Sequence, residues 1–259
     1  MTIPFPRRTA VRPSPVFLLL LAITAAGGWL AWQADQPTHA ARVGAFVFVI
    51  GAWLVTLSLH EFAHAYLAWR FGDREVEARG YLTLNPFKYS HPLLSIVLPV
   101  LIIAVGGIGL PGGAVWLHPQ YFRTNLQRAL VSLSGPLVNL GFTIGLLALT
   151  DAYGVTSSHG VFWLAVCGLA LLQLTATVLN LLPIPGLDGW GMLEPYLDPS
   201  VQQGAAGIKP FGMLLLFALL QIPSINTAFF NAIFYLFDLS PIGHLNGQIG
   251  VQLIQFWRN

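Results

Sequence analysis

Residues 43–69 read VGAFVFVIGAWLVTLSLHEFAHAYLAW, an apolar run in which Glu61 is the only Asp, Glu, Lys or Arg. Arg42 precedes the run and Arg70 follows it. About 20 apolar residues are enough to cross a bilayer as a helix, so this run predicts a membrane-spanning helix. Ionisable groups inside such a helix are costly and usually functional, so the stretch HEFAH, residues 60–64, marks the expected site.

The composition of the whole chain also predicts a membrane protein. Of its 259 residues, 55% are hydrophobic and 8% are charged, whereas a soluble domain has about 25% charged residues. Further apolar runs lie at 16–32, 92–110, 127–150, 161–182 and 211–239. We therefore expect an all-α polytopic protein embedded in the lipid bilayer, with about six transmembrane or re-entrant helices. The net charge of +2 and the lack of a basic patch argue against a nucleic-acid partner.

The N-terminal end of the chain is basic, because Arg7, Arg8 and Arg12 precede the apolar run 16–32. A basic start before an apolar segment is also typical of a cleaved signal peptide. This run is long enough to span, however, and we expect an uncleaved first helix. By the positive-inside rule, the arginines predict a cytoplasmic N-terminus and a second helix that returns to the cytoplasm.

HEFAH has the pattern H-E-x-x-H, which puts two imidazoles one helical turn apart on one face. Such a pair binds Zn²⁺, and the Glu beside the first His is a general base in metallopeptidases. His60 and His64 are therefore candidate metal ligands, and Glu61 is a candidate catalytic residue. His60 lies ten residues before Arg70, about 15 Å along a helix, so we expect the site inside the bilayer and nearer its cytoplasmic face.

A catalytic zinc site needs a third protein ligand and an open position. Asp188 is the strongest candidate, because it follows NLLPIPG, where two prolines must break a helix and let the carboxylate turn towards a metal. Asp238 is a weaker rival near the end of another apolar run. Asp151, Glu194 and Asp198 look like loop residues.

Helix directions test the choice of Asp188. HEFAH and Asp188 both lie near the C-terminal ends of their apolar runs, so those two helices must run parallel to bring them together. The run 127–150 must then be antiparallel to both, which brings SGPLVN, residues 134–139, to the same depth. This arrangement requires the run 92–110 to enter and leave on one side, as a re-entrant segment would.

The most polar stretch follows the HEFAH helix and reads DREVEARGYLTLNPFKYSH, residues 73–91. Alternation around 81–84 and the turn at Asn85-Pro86 predict a short β-hairpin or edge strands. A second extended piece is predicted at 114–118. An unwound substrate could pair with such a strand edge.

Four stretches occur in this order along the chain: HEFAH, GYLTLNPFKYSHP, SGPLVN and NLLPIPGLDG. Together they resemble the site-2 protease family of intramembrane zinc metalloproteases, over roughly residues 44–200. The combination is far more specific than H-E-x-x-H alone, because separate motifs agree. No inserted peptide-binding domain or appended nucleotide-sensing domain is recognised, so the expected protein is a minimal member. We expect a single membrane-embedded protease domain over 1–259, with its core at 44–200, an extra N-terminal helix at 16–32 and C-terminal helices at 211–258.

The resemblance implies one Zn²⁺ per chain, with His60, His64 and Asp188 as its ligands. It also implies that Glu61 is the catalytic acid/base. Asn139 would be a second catalytic residue, which helps to hold the substrate or the developing oxyanion. An interhelical hydrogen bond is the alternative interpretation for Asn139.

The expected function is a zinc-dependent intramembrane endopeptidase that uses metal-activated water to cleave the transmembrane helix of single-pass membrane proteins, as in regulated intramembrane proteolysis. One alternative is a catalytically silent scaffold that binds partner helices, and the intact Glu61 argues against it. Another is a metal transporter, which needs a chain of polar residues through the membrane. Here the charged residues within the apolar runs are few and are expected at one depth.

Overall fold

The computed structural model describes residues 11–89 and 117–257, and every regular element in those two ranges is helical. The α-helices are α1 (Pro15–Trp32), α2 (His39–Phe71), α3 (Glu75–Ala78), α4 (Asn125–Leu149), α5 (Gly160–Leu181), α6 (Asp188–Leu193), α7 (Pro199–Ala206), α8 (Gly212–Leu220), α9 (Pro223–Phe237) and α10 (His244–Leu253). Short 3₁₀ turns lie at Tyr81–Thr83, Pro86–Lys88, Pro119–Tyr121, Glu194–Tyr196 and Lys209–Phe211, and a π turn, Thr150–Gly154, follows α4.

Four helical segments are long and apolar enough to cross a membrane: α1, α2, Asn125–Gly154 and α5. Helix α7 and the segment Lys209–Leu220 pass the same test as a pair bent by 53°. Helices are thus confirmed at four of the predicted runs. The predicted total of about six is not confirmed, because the run 92–110 lies outside the described residues and 211–239 is divided into α8 and α9 at Pro223.

Helices α1 and α2 form an antiparallel pair whose ends are capped by hydroxyl side chains. The hydroxyl of Ser14 accepts a hydrogen bond from the Phe17 amide at the start of α1, and that of Thr38 accepts one from the Ala41 amide at the start of α2. Such caps satisfy backbone donors that a helix leaves unpaired at its N-terminus.

The α1–α2 pair packs closely enough to require glycine. A Cβ atom built on Gly27 would lie 2.6 Å from the Phe48 amide nitrogen and 2.9 Å from the Gly44 carbonyl oxygen. Those neighbours are backbone atoms, which cannot move aside as a flexible side chain can. Small residues of this kind let membrane helices approach each other closely.

Contacts with α2 define the directions of the next two helices. His64 contacts Val131 of α4, whereas His60, earlier in α2, contacts Asn139, later in α4, so α4 is antiparallel to α2. Helix α5 is parallel to α2, since Thr56 contacts Gln173 near the middle of α5, and His60 and His64 contact Asp188 beyond its end. These relative directions are the ones that the sequence predicts.

Helix α5 is the central helix of the bundle. In its most apolar 18-residue window, 78% of the residues are buried, against 22% for α1. Ala165 and Leu169 pack with Val49 and Trp53 of α2, and Gly168 packs against Gly250 of α10. The residues around the end of α5 are therefore held from several sides.

The hairpin predicted at 81–84 is wrong. Tyr81–Thr83 is a 3₁₀ turn between Gly80 and Leu84, which both have left-handed backbones, with φ of 77° and 56°. In a strand, Tyr81 and Leu82 would point to opposite faces. Both are buried, so their burial does not alternate as it would in a strand with one exposed face. The carbonyls of Leu82 and Thr83 instead accept hydrogen bonds from the backbone N–H groups of Arg12 and Ser14, at 3.4 and 2.8 Å. Of the extended piece predicted at 114–118, only the last two residues are described.

The close α1–α2 contact predicts that Gly27→Ala destabilises the protein by about 1–3 kcal/mol, because the new methyl group overlaps backbone atoms. Thermal unfolding in lipid nanodiscs measures the effect. Gly145→Ala is the matched control, since a Cβ there meets nothing within 4 Å among the described residues. Equal melting temperatures for the two variants would contradict the packing described.

Candidate metal centre

Three predicted ligands converge in the structure. His60 Nε2 lies 3.3 Å from Asp188 Oδ2, and His64 Nε2 lies 3.4 Å from Asp188 Oδ1. The two Nε2 atoms are 3.1 Å apart. Both histidines are buried, and Asp188 is partly buried. Among the described residues, His60, His64 and Asp188 form the group of side chains that could hold a metal ion.

The spacing of these three groups fits zinc. Ligands at 2.0–2.1 Å from a tetrahedral ion lie about 3.3–3.4 Å from one another, and the observed separations are 3.1–3.4 Å. Two imidazoles and one carboxylate are also a donor set that catalytic zinc sites use, with the fourth position left for water or substrate. The residues present therefore fit the ion that the sequence predicts.

Gly135 keeps space open beside the two imidazoles. A Cβ atom at this position would lie 2.2 Å from His64 Nε2 and 2.5 Å from His60 Nε2. Those distances are close to the length of a zinc–nitrogen bond, about 2.0–2.1 Å. A side chain on Gly135 would occupy space that a bound ion needs. The glycine of SGPLVN thus leaves room for a metal ion beside the two histidines.

Helix α4 orients both imidazoles through their other ring nitrogens. His64 Nδ1 lies 2.7 Å from the Val131 carbonyl oxygen, and His60 Nδ1 lies 3.2 Å from Asn139 Oδ1. Because these oxygens can only accept, each Nδ1 carries the proton and donates it. Each Nε2 is then left with a lone pair directed towards the site, as metal-binding histidines require.

Asn139 is therefore observed in the interhelical hydrogen bond that was the alternative interpretation of this residue. Its catalytic role stays a prediction. The bond leaves that role open, since it uses Oδ1 of Asn139 and not the Nδ2 group.

Asp188 reaches the histidines because the chain breaks after α5. Leu182 adopts an extended backbone at the end of the helix, and Pro183 and Pro185 cannot continue it. The chain becomes helical again at Asp188, the first residue of α6. A carboxylate at the start of a helix can turn away from the helix axis, and here its two oxygens contact different histidines.

A cavity of about 280 Å³ opens from these residues and is lined by parts of α2, α4, α5, α6 and α8. Glu61 lines it and is buried. Tyr89 lies nearby, and its hydroxyl donates to the Ser58 carbonyl at 3.1 Å. Burial raises the pKa of Tyr89, and the negative charge of Glu61 raises it further. Tyr89 therefore stays protonated beside the predicted general base.

Three further polar side chains line the cavity, and the sequence did not single them out: Trp53, Gln173 and Trp190. Trp53 Nε1, Gln173 Oε1 and Trp190 Nε1 are buried and have no hydrogen-bond partner among the described residues. Leaving such a group unpaired costs about 1–3 kcal/mol. A signal was present for Gln173, which is an amide near the middle of the apolar run 161–182.

The other acidic candidates lie elsewhere or have a different partner. Asp238, the rival third ligand, pairs with His244 at 2.7 Å, and hydrogen bonds from the His244 backbone and side chain lower the pKa of the Asp238 carboxyl. Glu194, which resembles a loop residue in the sequence, lines the cavity and pairs with Lys209 at 2.5 Å. Among the described residues, Asp188 is therefore the acidic candidate that lies beside both histidines.

Comparison with known proteins identifies relatives along almost the whole chain. It is 53% identical over 253 residues to the "Putative zinc metalloprotease Rip2" of Mycolicibacterium smegmatis, covering 97% of each chain. It is also 53% identical over 252 residues to the protein of the same name from Mycobacterium tuberculosis, covering 97% of this chain and 96% of that one. With the "Putative zinc metalloprotease YwhC" of Bacillus subtilis it shares 32% identity over 196 residues, covering 68% of this chain and 81% of that protein. No protein-family model matches the chain, and no solved structure matches it significantly.

The metal centre predicts that Asp188→Ala weakens zinc binding by at least about a hundredfold, because a ligand is lost, and even changes to groups that only hydrogen-bond a ligand cost about 10–100-fold. Metal analysis after dialysis against a zinc buffer measures the bound fraction. Asp238→Ala is the control, since its carboxylate pairs with His244 and not with the candidate ligands. Equal zinc content in the two variants would reject Asp188 as a ligand.

Gly135→Ala tests the space beside the imidazoles separately. The added methyl group should displace at least one imidazole or the ion, so zinc binding is expected to fall about 10–100-fold, as for other changes around a ligand. The same zinc titration applies, with Gly141→Ala on the same helix as the control, where a Cβ meets nothing within 4 Å among the described residues. Undiminished zinc binding in Gly135→Ala would contradict this geometry.

Proposed function

Because the chain belongs to the site-2 protease family of zinc metalloproteases, with Rip2 and YwhC as relatives, we propose that it cleaves the transmembrane helix of single-pass membrane proteins. Its relatives identify it as a metallopeptidase with zinc as cofactor. One observation carries the proposal. His60, His64 and Glu61 are buried, and the partly buried Asp188 lies beside them, among α2, α4 and α5, three helices apolar enough to span a membrane. A peptide bond must enter that bundle to be hydrolysed.

Glu61 is the proton carrier in the proposed reaction. When zinc is bound, it lowers the pKa of water towards about 7 and polarises the substrate carbonyl. The Glu61 carboxylate accepts a proton from the attacking water while the water oxygen bonds to the carbonyl carbon. As the carbon–nitrogen bond breaks, Glu61 returns that proton to the leaving amine. The carboxylate is regenerated, and the net reaction consumes one water for each peptide bond.

Asn139 has two roles in the proposal. Its Oδ1 keeps the His60 ring in position through the 3.2 Å contact with Nδ1. Its Nδ2 group would donate a hydrogen bond to the oxyanion that forms on the substrate carbonyl. Donors fixed in advance stabilise such charge most effectively, because they do not have to reorient during the reaction.

The substrate must lose its helical structure before it reacts. Inside a transmembrane helix, each carbonyl is hydrogen-bonded to the backbone N–H four residues later, and side chains shield it. The cavity is lined by polar groups from several helices, which can replace some of those hydrogen bonds. A substrate with residues that weaken a helix near the cleaved bond would therefore react faster.

Positive charges at one end of the bundle support a cytoplasmic location for that end. Backbone hydrogen bonds hold Arg12 beside the turn that follows α2. The end of α2 and the segment that follows it carry four more positive charges, Arg70, Arg74, Arg79 and Lys88. By the positive-inside rule we propose a cytoplasmic N-terminus and an active site nearer the cytoplasmic face.

With four candidate membrane helices and these relatives, the chain is an integral membrane protein. The relatives' names favour the enzyme over a silent scaffold or a metal transporter. We propose that residues 1–259 form a single protease domain with its core at 44–200.

The mechanism predicts that Glu61→Gln retains zinc and loses cleavage of a membrane-spanning reporter by about 10²–10⁴-fold, because the amide cannot carry the proton. The assay uses purified protein in liposomes with zinc analysis of the same sample. Glu77→Gln is the matched control, since Glu77 accepts a hydrogen bond from Trp69 at the end of α2, outside the cavity. Full activity of the zinc-loaded Glu61→Gln protein would refute the role of Glu61.

A further inference from the structure

Gln173 lies at the middle of α5, with no exposed surface. Its Nε2 group is 2.5 Å from the hydroxyl oxygen of Thr56 on α2. That hydroxyl donates its own hydrogen to the Trp53 carbonyl, at 2.9 Å. A hydroxyl has one hydrogen, so towards Gln173 it can only accept. The Gln173 amide is thereby fixed with Nε2 towards Thr56 and Oε1 turned away from it.

The fixed amide leaves an acceptor without a donor. Gln173 Oε1 has no partner among the described residues, and neither does Trp53 Nε1, which is a donor. Both residues line the same cavity as the metal ligands. The hydrogen bond to Thr56 uses only the Nε2 group of Gln173. It therefore provides no partner for Gln173 Oε1 or for the indole N–H of Trp53.

Trp53 and Thr56 lie on the same helix as the candidate ligand His60. Trp53, Thr56 and His60 are spaced three and four residues apart, so they share one face of α2. Seven residues separate Trp53 from His60, which corresponds to about 10 Å along the helix. An extended peptide advances about 3.3 Å per residue, so about three residues cover that distance.

An acceptor and a donor that line one cavity complement an amide, whose N–H donates and whose C=O accepts. We infer that Gln173 and Trp53 form a subsite that binds an amide group of the substrate about three residues from the cleaved bond. The inference rests on the proposed function and deepens it. The amide is either a backbone peptide group exposed when the substrate unwinds or the side chain of a substrate Asn or Gln. In both cases Gln173 Oε1 accepts and Trp53 Nε1 donates.

Binding to an inactive enzyme tests the subsite without the chemical step. The protein is the full chain carrying Glu61→Gln, loaded with zinc in lipid nanodiscs. The probe is a lysine-flanked fluorescent peptide of about 20 leucine and alanine residues with a central Asn-Gly pair. We expect Gln173→Met to raise the Kd of this peptide about five- to tenfold, the effect of one lost hydrogen bond. Trp53→Phe, which removes the indole donor and keeps a smaller aromatic ring, should weaken binding similarly.

Thr175→Val is the matched control for Gln173→Met. Thr175 is a buried polar residue of the same helix that bonds within α5, to the Leu171 carbonyl, and it does not line the cavity. Its Kd should match that of the parent. Thermal unfolding measures the structural contribution of Gln173 separately, because Gln173→Met also removes the Nε2 hydrogen bond to Thr56. A Gln173→Met protein that binds the peptide with the Kd of the parent, whatever its melting temperature, would overturn the subsite.

Modified peptides identify the source of the amide. In one series, single backbone amides near the centre are replaced by esters, and in the other the central Asn is replaced by Leu. A modification that weakens binding to the parent but not to Gln173→Met contacts the subsite, as in a double-mutant cycle. An ester position with this behaviour identifies the backbone, and the Leu peptide identifies the side chain. If every modification weakens both proteins equally, the subsite is rejected. If the peptide fails to bind the parent at all, the proposed transmembrane substrate is rejected, and the subsite with it.

Discussion

The hydrogen bonds that His60 and His64 donate to α4 are the interactions on which the rest of the structure depends. An apolar helix cannot keep two imidazoles and a carboxylate in the bilayer unless neighbouring helices supply partners for them. Val131 and Asn139 supply those partners. They hold α4 antiparallel to α2, fix the protonated ring nitrogen of each histidine and direct the two lone pairs at one point. The metal centre and the packing of the helices thus follow from the same two contacts.

The break after α5 is the second constraint. If α5 continued as a helix, the residues that follow it would extend past the two histidines. The prolines after Leu182 instead end α5 at the depth of the site. The chain can then begin a new helix with Asp188 facing α2. Non-helical backbone at membrane depth is tolerated where it lines a cavity, and this segment does so through Gly186 and Leu187. The same break therefore provides a candidate ligand and one wall of the cavity.

The side chains that converge can be recognised in the sequence, because polar and ionisable residues stand out in apolar surroundings. His60, Glu61 and His64 are unexpected in an apolar run, and Asp188 follows prolines that must end a helix. The cavity wall at Gln173 is harder to predict. Whether one buried amide faces a neighbouring helix, lipid or a cavity depends on how α5 is rotated, and the hydrophobic pattern of a helix that is apolar on all sides does not define that rotation.

The wrong strand prediction at 81–84 has a similar origin. Alternating residues indicate a strand only when one face is buried and the other is exposed. Here the left-handed backbone at Gly80 and Leu84 turns the chain, and the N-terminal segment supplies the backbone donors that a neighbouring strand would supply. Those donors come from residues about 70 positions away in the sequence. A local pattern contains no information about such a partner.

In the site that we propose, two imidazoles of α2 and the carboxylate of Asp188 hold one zinc ion among membrane-spanning helices. X-ray absorption at the zinc edge, on the purified protein in nanodiscs, tests it most directly. We expect scattering from two imidazoles and from oxygen ligands at about 2.0–2.2 Å, with no sulfur. A zinc–sulfur distance of about 2.3 Å, or fewer than two imidazoles per ion, would contradict it.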